Sequence, residues 1–281
     1  MRNAAAAGRA TIAGMPFICA YMNAAMLSKT HPAPTTARNR AGEYGIALML
    51  TFVACSQSAA EPPGNLAKLV AARETATAEE RAHYAFTQTF RLQEMDSHGA
   101  QAGEYRETRE VIFSPAGERS DQFVGKPESR LKNLVMTPED VADIRNIQPF
   151  VMTTEQLWNY DAEFKGEELM ADVNCWVLRL RPKHILSGQR LFDGLIWVKQ
   201  DDYSVVRSQG KAVPQIVTMK QENLFPQFTT VRKAVNGFWF PAVTTADDTL
   251  HFRAGPIREK LVIRYNDYKK FGSDSVITFQ K

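Results

Sequence analysis

Side chains able to do chemistry are sparse and scattered. The five histidines, His31, His83, His98, His184 and His251, include no pair at metal-ligand spacing. One stretch concentrates acid and imidazole: Asp247-Asp248-Thr249-Leu250-His251. Two carboxylates beside an imidazole could hold a metal ion or relay a proton, which keeps a hydrolase or metalloenzyme reading open. Nothing else in the chain completes a ligand set, so a polar loop between strands is the plainer expectation. Cys175, between Asn174 and Trp176, reads as a half-buried structural cysteine, because no low-pKa setting surrounds it. No Gly-x-Ser-x-Gly and no phosphate-cradling glycine loop occurs. Ser187-Gly188 and Asp193-Gly194 read as turn or strand-bulge dipeptides. These residues call for no catalytic site, metal or cofactor.

The aromatics carry more information. Trp158, Trp176, Trp197 and Trp239 accompany many Phe and Tyr. Most belong in an ordinary core. Around Trp176 and Trp197, however, both parities are apolar in places: Cys175, Val177, Ile196 and Val198. Strands apolar on both faces are covered on both faces or line a cavity. Phe86, Phe90, Trp176, Leu178, Leu180 and Trp197 are the candidates for lining such a cavity.

The elements that must position these residues follow from pattern. The chain has 281 residues, 44% hydrophobic and 23% charged, which suits a folded globular protein. Its net charge of +3 arises at the N-terminus. Arg2, Arg9, Lys29, Arg38 and Arg40 face one acid, Glu43, and without residues 1–55 the balance is net −1. No nucleic-acid partner is expected. From Arg38 the chain reads as a signal peptide, with Arg38 and Arg40 before the apolar run 46–54. That run is shorter than the ~20 residues a spanning helix needs. Two processing sites compete. Phe52-Val53-Ala54-Cys55 is similar to a bacterial lipobox, making Cys55 a candidate for acylation and membrane anchoring. Ser58-Ala59-Ala60 offers small-x-small cleavage before Glu61. Residues 1–37 lack acids and sustained periodicity, and translation from Met26 would give a more ordinary leader. Residues 1–60 are therefore set apart as a targeting region, and 61–281 as one domain, exported to the periplasm or the outer membrane. Only Cys175 falls in that domain, so it has no internal disulfide.

Residues 65–82 read as a helix, with Leu66, Leu69, Val70 and Arg73 at helical spacing. Glu74, Glu79, Glu80 and Arg81 are assigned to its solvated face. Strands then dominate. Tyr84, Phe86, Phe90 and Leu92 alternate with Thr87, Thr89, Arg91 and Gln93. Turns at Ser97-His98-Gly99 and Pro115-Ala116-Gly117 lead to strands 103–114 and 119–124. Thr137-Pro138-Glu139-Asp140 opens a second helix with an N-cap, a first-turn proline and an acid, and Pro149 ends it. Further strands are expected at 158–165, 174–181, 191–199, 203–212, 228–233, 238–245, 260–268 and 276–280, with a hairpin turn at Asn236-Gly237. Many strands, two or three helices and no strand–helix alternation predict an α+β, mainly β fold. The expected architecture is a large curved antiparallel sheet, a half-open barrel closed by its helices, with room for an apolar hollow.

Over Trp158–Lys211 the chain resembles the outer-membrane lipoprotein-sorting proteins, the LolA/LolB-like superfamily of periplasmic lipid carriers. The carrying residues are Tyr160-Asp161-Ala162-Glu163-Phe164-Lys165-Gly166-Glu167, Cys175 through Lys183, Phe192 through Val198, and Tyr203-Ser204-Val205-Val206-Arg207. One strand runs to a glycine, the next to Pro-Lys, a third carries Ile-Trp-Val and a fourth Val-Val-Arg. The resemblance implies a half-open barrel holding acyl chains in an apolar cavity, with a lipophilic ligand or an acylated protein as partner. The expected function is a non-catalytic, periplasmic or envelope-anchored carrier. The alternative is a structural or sensory envelope protein whose core is filled by its own side chains.

Overall fold

Alternating burial builds the sheet. The computed structural model describes residues 61–114, 118–147, 152–216, 227–252 and 255–271, all within the compact unit Ser58–Lys281. In β1 (Tyr84–Met95) every even residue is buried and every odd one partly exposed. The chain turns at Asp96, whose carboxylate accepts the N–H groups of His98 and Ala100 at 2.8 Å each, and returns as β2 (Gln101–Phe113). β3 (Arg119–Phe123) and the short β4 (Glu128–Ser129) both pair with β2. The meander continues through β5 (Tyr160–Met170), β6 (Val173–Pro182), β7 (Leu191–Lys199) and β8 (Val205–Val213). It ends with β9 (Phe228–Val235), β10 (Phe238–Phe252) and β11 (Gly255–Lys270).

These strands form one antiparallel sheet in the order β3-β2-β1-β11-β10-β9-β8-β7-β6-β5. Apart from one pair, neighbours along this order are consecutive strands of the chain. The exception is β1 against β11, which joins the start of the domain to its end. β3 and β5 are the edges, so the sheet is open. The hairpin from β9 to β10 turns at Asn236 (φ 49°) and Gly237 (φ 83°), the left-handed pair that Asn-Gly tolerates best.

Two α-helices cover one face. α1 (Leu66–Arg81) buries Leu66, Val70 and Ala71 in the main core beside Ile144 of α2 (Pro138–Asn146) and the inner residues of the sheet. α2 starts as expected: Thr137 caps Asp140 N–H, and the Asp140 carboxylate accepts from Thr137 N–H at 2.9 Å. One 3-10 turn (Leu157–Asn159) precedes β5, where the sequence pattern suggested a strand from Trp158.

Three expectations need correction. Asp247–His251 is not a loop but the continuation of β10, where Asp247 meets Lys260 and Arg258 across the strand pair and Asp248 stands opposite Glu259. Asp193-Gly194 is neither a turn nor a bulge: it lies inside β7, the strand expected at 191–199, with Gly194 opposite Gly210 of β8. A Cβ on Gly194 would lie 2.3 Å from the Gln209 carbonyl oxygen and 2.5 Å from the Phe192 ring, so both glycines let that ring lie flat on the ladder. Finally, Glu74 and Arg81 do not belong to a solvated face. Leu66, Val70, Glu74, Thr77 and Arg81 follow the helical repeat on the sheet-facing side, and Glu74 is 1% exposed. The leader with Cys55, the turn at residues 115–117, Pro149 and the strand at 276–280 lie outside the described residues.

Candidate functional site

Sheet parity decides which predicted cavity residues meet. Trp176 pairs across with Val198, and Val177 with Trp197. Phe86, Phe90, Trp176, Leu178 and Leu180 therefore join the main core beneath the helices. Trp197 faces the other way, in a small outer cluster with Cys175, Val177 and Val206. There its indole N–H donates to Glu168 at 2.7 Å and the Arg207 guanidinium lies 4.4 Å from its ring. The two-sided apolarity of β6 and β7 thus has two causes, a core on one face and a cation-capped cluster on the other. Cys175, fully buried in that cluster, has its thiol pushed up to about 11 by burial, so it stays protonated and inert at neutral pH.

The same parity splits the polar cluster of β10. Asp247 is on the outer face, where Arg258 at 3.0 Å and Lys260 at 3.6 Å hold its carboxyl below the usual range. His251 shares that face, four residues on and about 13 Å along the strand. Asp248 points inward. The three residues do not converge, and among the described residues no three His, Cys, Asp or Glu side chains gather as a metal set.

What the structure does assemble is a cleft of about 430 Å³ between the helices and the sheet. Its floor is aromatic: Phe86 of β1, Phe113 of β2, and Tyr265 and Tyr268 of β11. Phe86 is the hub, with centroid separations of 5.0 Å to Tyr268, 6.2 Å to Tyr265 and 6.5 Å to Phe113. Ala78 and Arg81 of α1 form one wall, and Arg145 and Asn146 at the end of α2 another. The phenols are held inward. Tyr268 donates to the Pro241 carbonyl at 2.8 Å, and burial raises the pKa of both Tyr265 and Tyr268.

The cleft is cationic at its rim. Asp121 of β3 joins Arg119 at 2.7 Å, Arg145 at 2.9 Å and Arg109 at 3.5 Å. Arg119 also donates to the Gln88 side-chain oxygen at 2.8 Å and to the Arg145 carbonyl at 3.1 Å. Behind them, Arg232 of β9 pairs with Glu74 of α1 at 2.8 Å, both side chains 1% exposed. Of the residues proposed from sequence, only Phe86 lines this cleft. Phe90 borders a separate, polar hollow of about 450 Å³ with Arg91, Arg106 and Glu107. Trp176, Leu178 and Leu180 are packed among core side chains at 4%, 3% and 0% exposure.

No family model matches the chain, and no curated protein does either. The chain is similar to solved LolA superfamily structures. One, from Nitrosomonas europaea, is 15% identical, covering 72% of this chain and 95% of that chain at a TM-score of 0.31. A DUF1329 family protein from Desulfovibrio piger is 12% identical, covering 77% and 96% at a TM-score of 0.39. An outer membrane lipoprotein-sorting protein domain from Vibrio parahaemolyticus is 11% identical, covering 72% and 91% at a TM-score of 0.35.

Proposed function

We propose that this chain is an exported or envelope-anchored binder of lipophilic ligands, acyl chains or acylated proteins, acting without covalent chemistry. The observation that carries the reading is the aromatic-floored cleft under α1 and α2. Its volume, about 430 Å³, falls within the ~300–1,000 Å³ of small-molecule sites. Its floor consists of rings whose polar tips are already engaged, which leaves apolar faces for an apolar guest. The family resemblance of the central meander points to the same class of ligand. Organic-solvent extraction of the mature protein, purified from an envelope fraction, tests this. Co-extracted lipid at near-stoichiometric amount supports the reading. Lipid-free protein that also takes up no acyl chain on incubation overturns it.

A second reading has its own observation. Trp176, Leu178 and Leu180 sit in a dense core, so the β6–β7 half of the sheet is filled by the chain itself. A structural or sensory role would extend that self-filling to the whole face. Leu180→Ala and Phe86→Ala separate the two readings. Leu180→Ala is expected to cost about 2–5 kcal/mol of stability, the usual range for a core truncation. Phe86→Ala should weaken ligand uptake more than a self-filled core would allow.

A further inference from the structure

We propose that the cleft takes an anionic amphiphile, a single acyl or alkyl chain bearing a carboxylate or phosphate head, and that the head is bound by Arg81. This rests on the lipophile-binding reading above and names its ligand class.

Arg81 ends the sheet-facing stripe of α1 and lines the cleft beside Phe86 and Tyr268. Among the described residues, no hydrogen bond or ion pair engages its guanidinium, and its Nε is shut off from solvent without an acceptor. The surrounding arginines are provided for: Arg119 and Arg145 share Asp121, Arg109 has Glu107, and Arg232 has Glu74. Five guanidiniums thus face three carboxylates, and Arg81 is the one left over. Burial lowers its pKa, the nearby charges of Arg232 and Arg119 push the same way, and Tyr268 and Glu74 oppose them only in part. A guanidinium in that position lacks only an oxyanion, which its planar fork accepts in two parallel hydrogen bonds. The aromatic floor next to it accepts the chain. A neutral lipid would leave the charge unpaired, and a cationic one would add to the repulsion.

Arg81 in the last turn of α1 also suits the negative end of the helix dipole. A purely structural role of that kind gives a different outcome in the following experiment. The whole mature protein is titrated calorimetrically with dodecanoate, dodecyl phosphate, dodecanol and dodecyltrimethylammonium, as wild type, Arg81→Gln and Arg81→Lys. The expected result is binding of both anions at least about tenfold tighter than dodecanol, the worth of a charge-assisted hydrogen bond. Whichever anion binds tighter identifies the head as carboxylate or phosphate. Arg81→Gln should remove the preference while leaving dodecanol binding within about threefold, and Arg81→Lys should restore part of it. Equal binding of dodecanoate and dodecanol by the wild type overturns the headgroup site and leaves the lipophile reading standing. A preference that survives Arg81→Gln, with only thermal stability lowered, also overturns it and assigns Arg81 to the helix end. Failure of all four probes overturns the lipophile reading itself.

Discussion

Glu259 lies fully buried on β11 with neither carboxyl oxygen hydrogen-bonded. It stands between Glu94 of β1 and Asp248 of β10 in one row across the sheet, with Asp140 of α2 close by and Asp247 on the opposite face. Desolvation, then these acids, raises its pKa well above the ordinary carboxylate value. The folded chain therefore keeps a proton that the unfolded chain releases above about pH 4.3. Glu259 favours folding most below that pH, and its contribution is lost as pH rises through the folded value. Glu259→Gln, which mimics the neutral acid, should make the melting temperature fall less between pH 5 and pH 8 than in wild type. Identical pH slopes in parallel thermal melts would contradict this. Between Arg258 and Lys260 the residue looks solvated in the sequence, yet its parity with Leu261, Ile263 and Tyr265 places it inside. Arg81 and Glu74 illustrate the same limit on a helix: their spacing was legible, but charge alone argued for the wrong face. Trp197 is the converse, an apolar residue assigned to the inner face that one step of register turns outward.

At the scale of elements, α1 is held by polar anchors as well as by its apolar contacts. Arg73 donates to Ser204 at 2.9 Å and to the Gly237 carbonyl at 2.5 Å, tying the helix to two hairpin turns. Glu74 meets Arg232 of β9 in the buried pair. Glu74→Ala should destabilise the domain by about 3–5 kcal/mol, because it removes the carboxylate from a fully buried ion pair, and denaturant unfolding measures the loss. Gly210→Ala forces a Cβ to 2.3 Å from the Asp193 carbonyl oxygen. An overpacking cost of at least about 1–3 kcal/mol is expected there, again read from the unfolding midpoint. The strands themselves were largely legible, since alternation is a strong signal wherever one face is buried. β10 was cut short because Asp247-Asp248-Thr249 has the composition of a loop. Cross-strand pairing of Asp247 with Lys260 and Arg258 offsets that composition, and such pairing is invisible in a single segment.

For the molecule as a whole, the class of fold could be read from strand count and turn spacing, and the open sheet with two helices on one face agrees with it. The cleft could not be read, because its walls come from α1, α2 and five strands from both ends of the domain. The address remains a proposal from sequence. Intact mass of the envelope-derived protein should show an N-terminus at Cys55 with added acyl mass, or at Glu61 without it, and a retained leader would contradict both. The carrier reading meets its most direct test in a calorimetric series with octanoate, decanoate, dodecanoate and tetradecanoate on the mature protein. A methylene moved from water into an apolar site contributes about 0.8 kcal/mol, so saturable affinity should rise about fourfold per methylene until the cleft is full. Phe86→Ala should flatten the rise. A wild-type series without saturation, or with affinity indifferent to chain length, would contradict a lipophile-binding cleft.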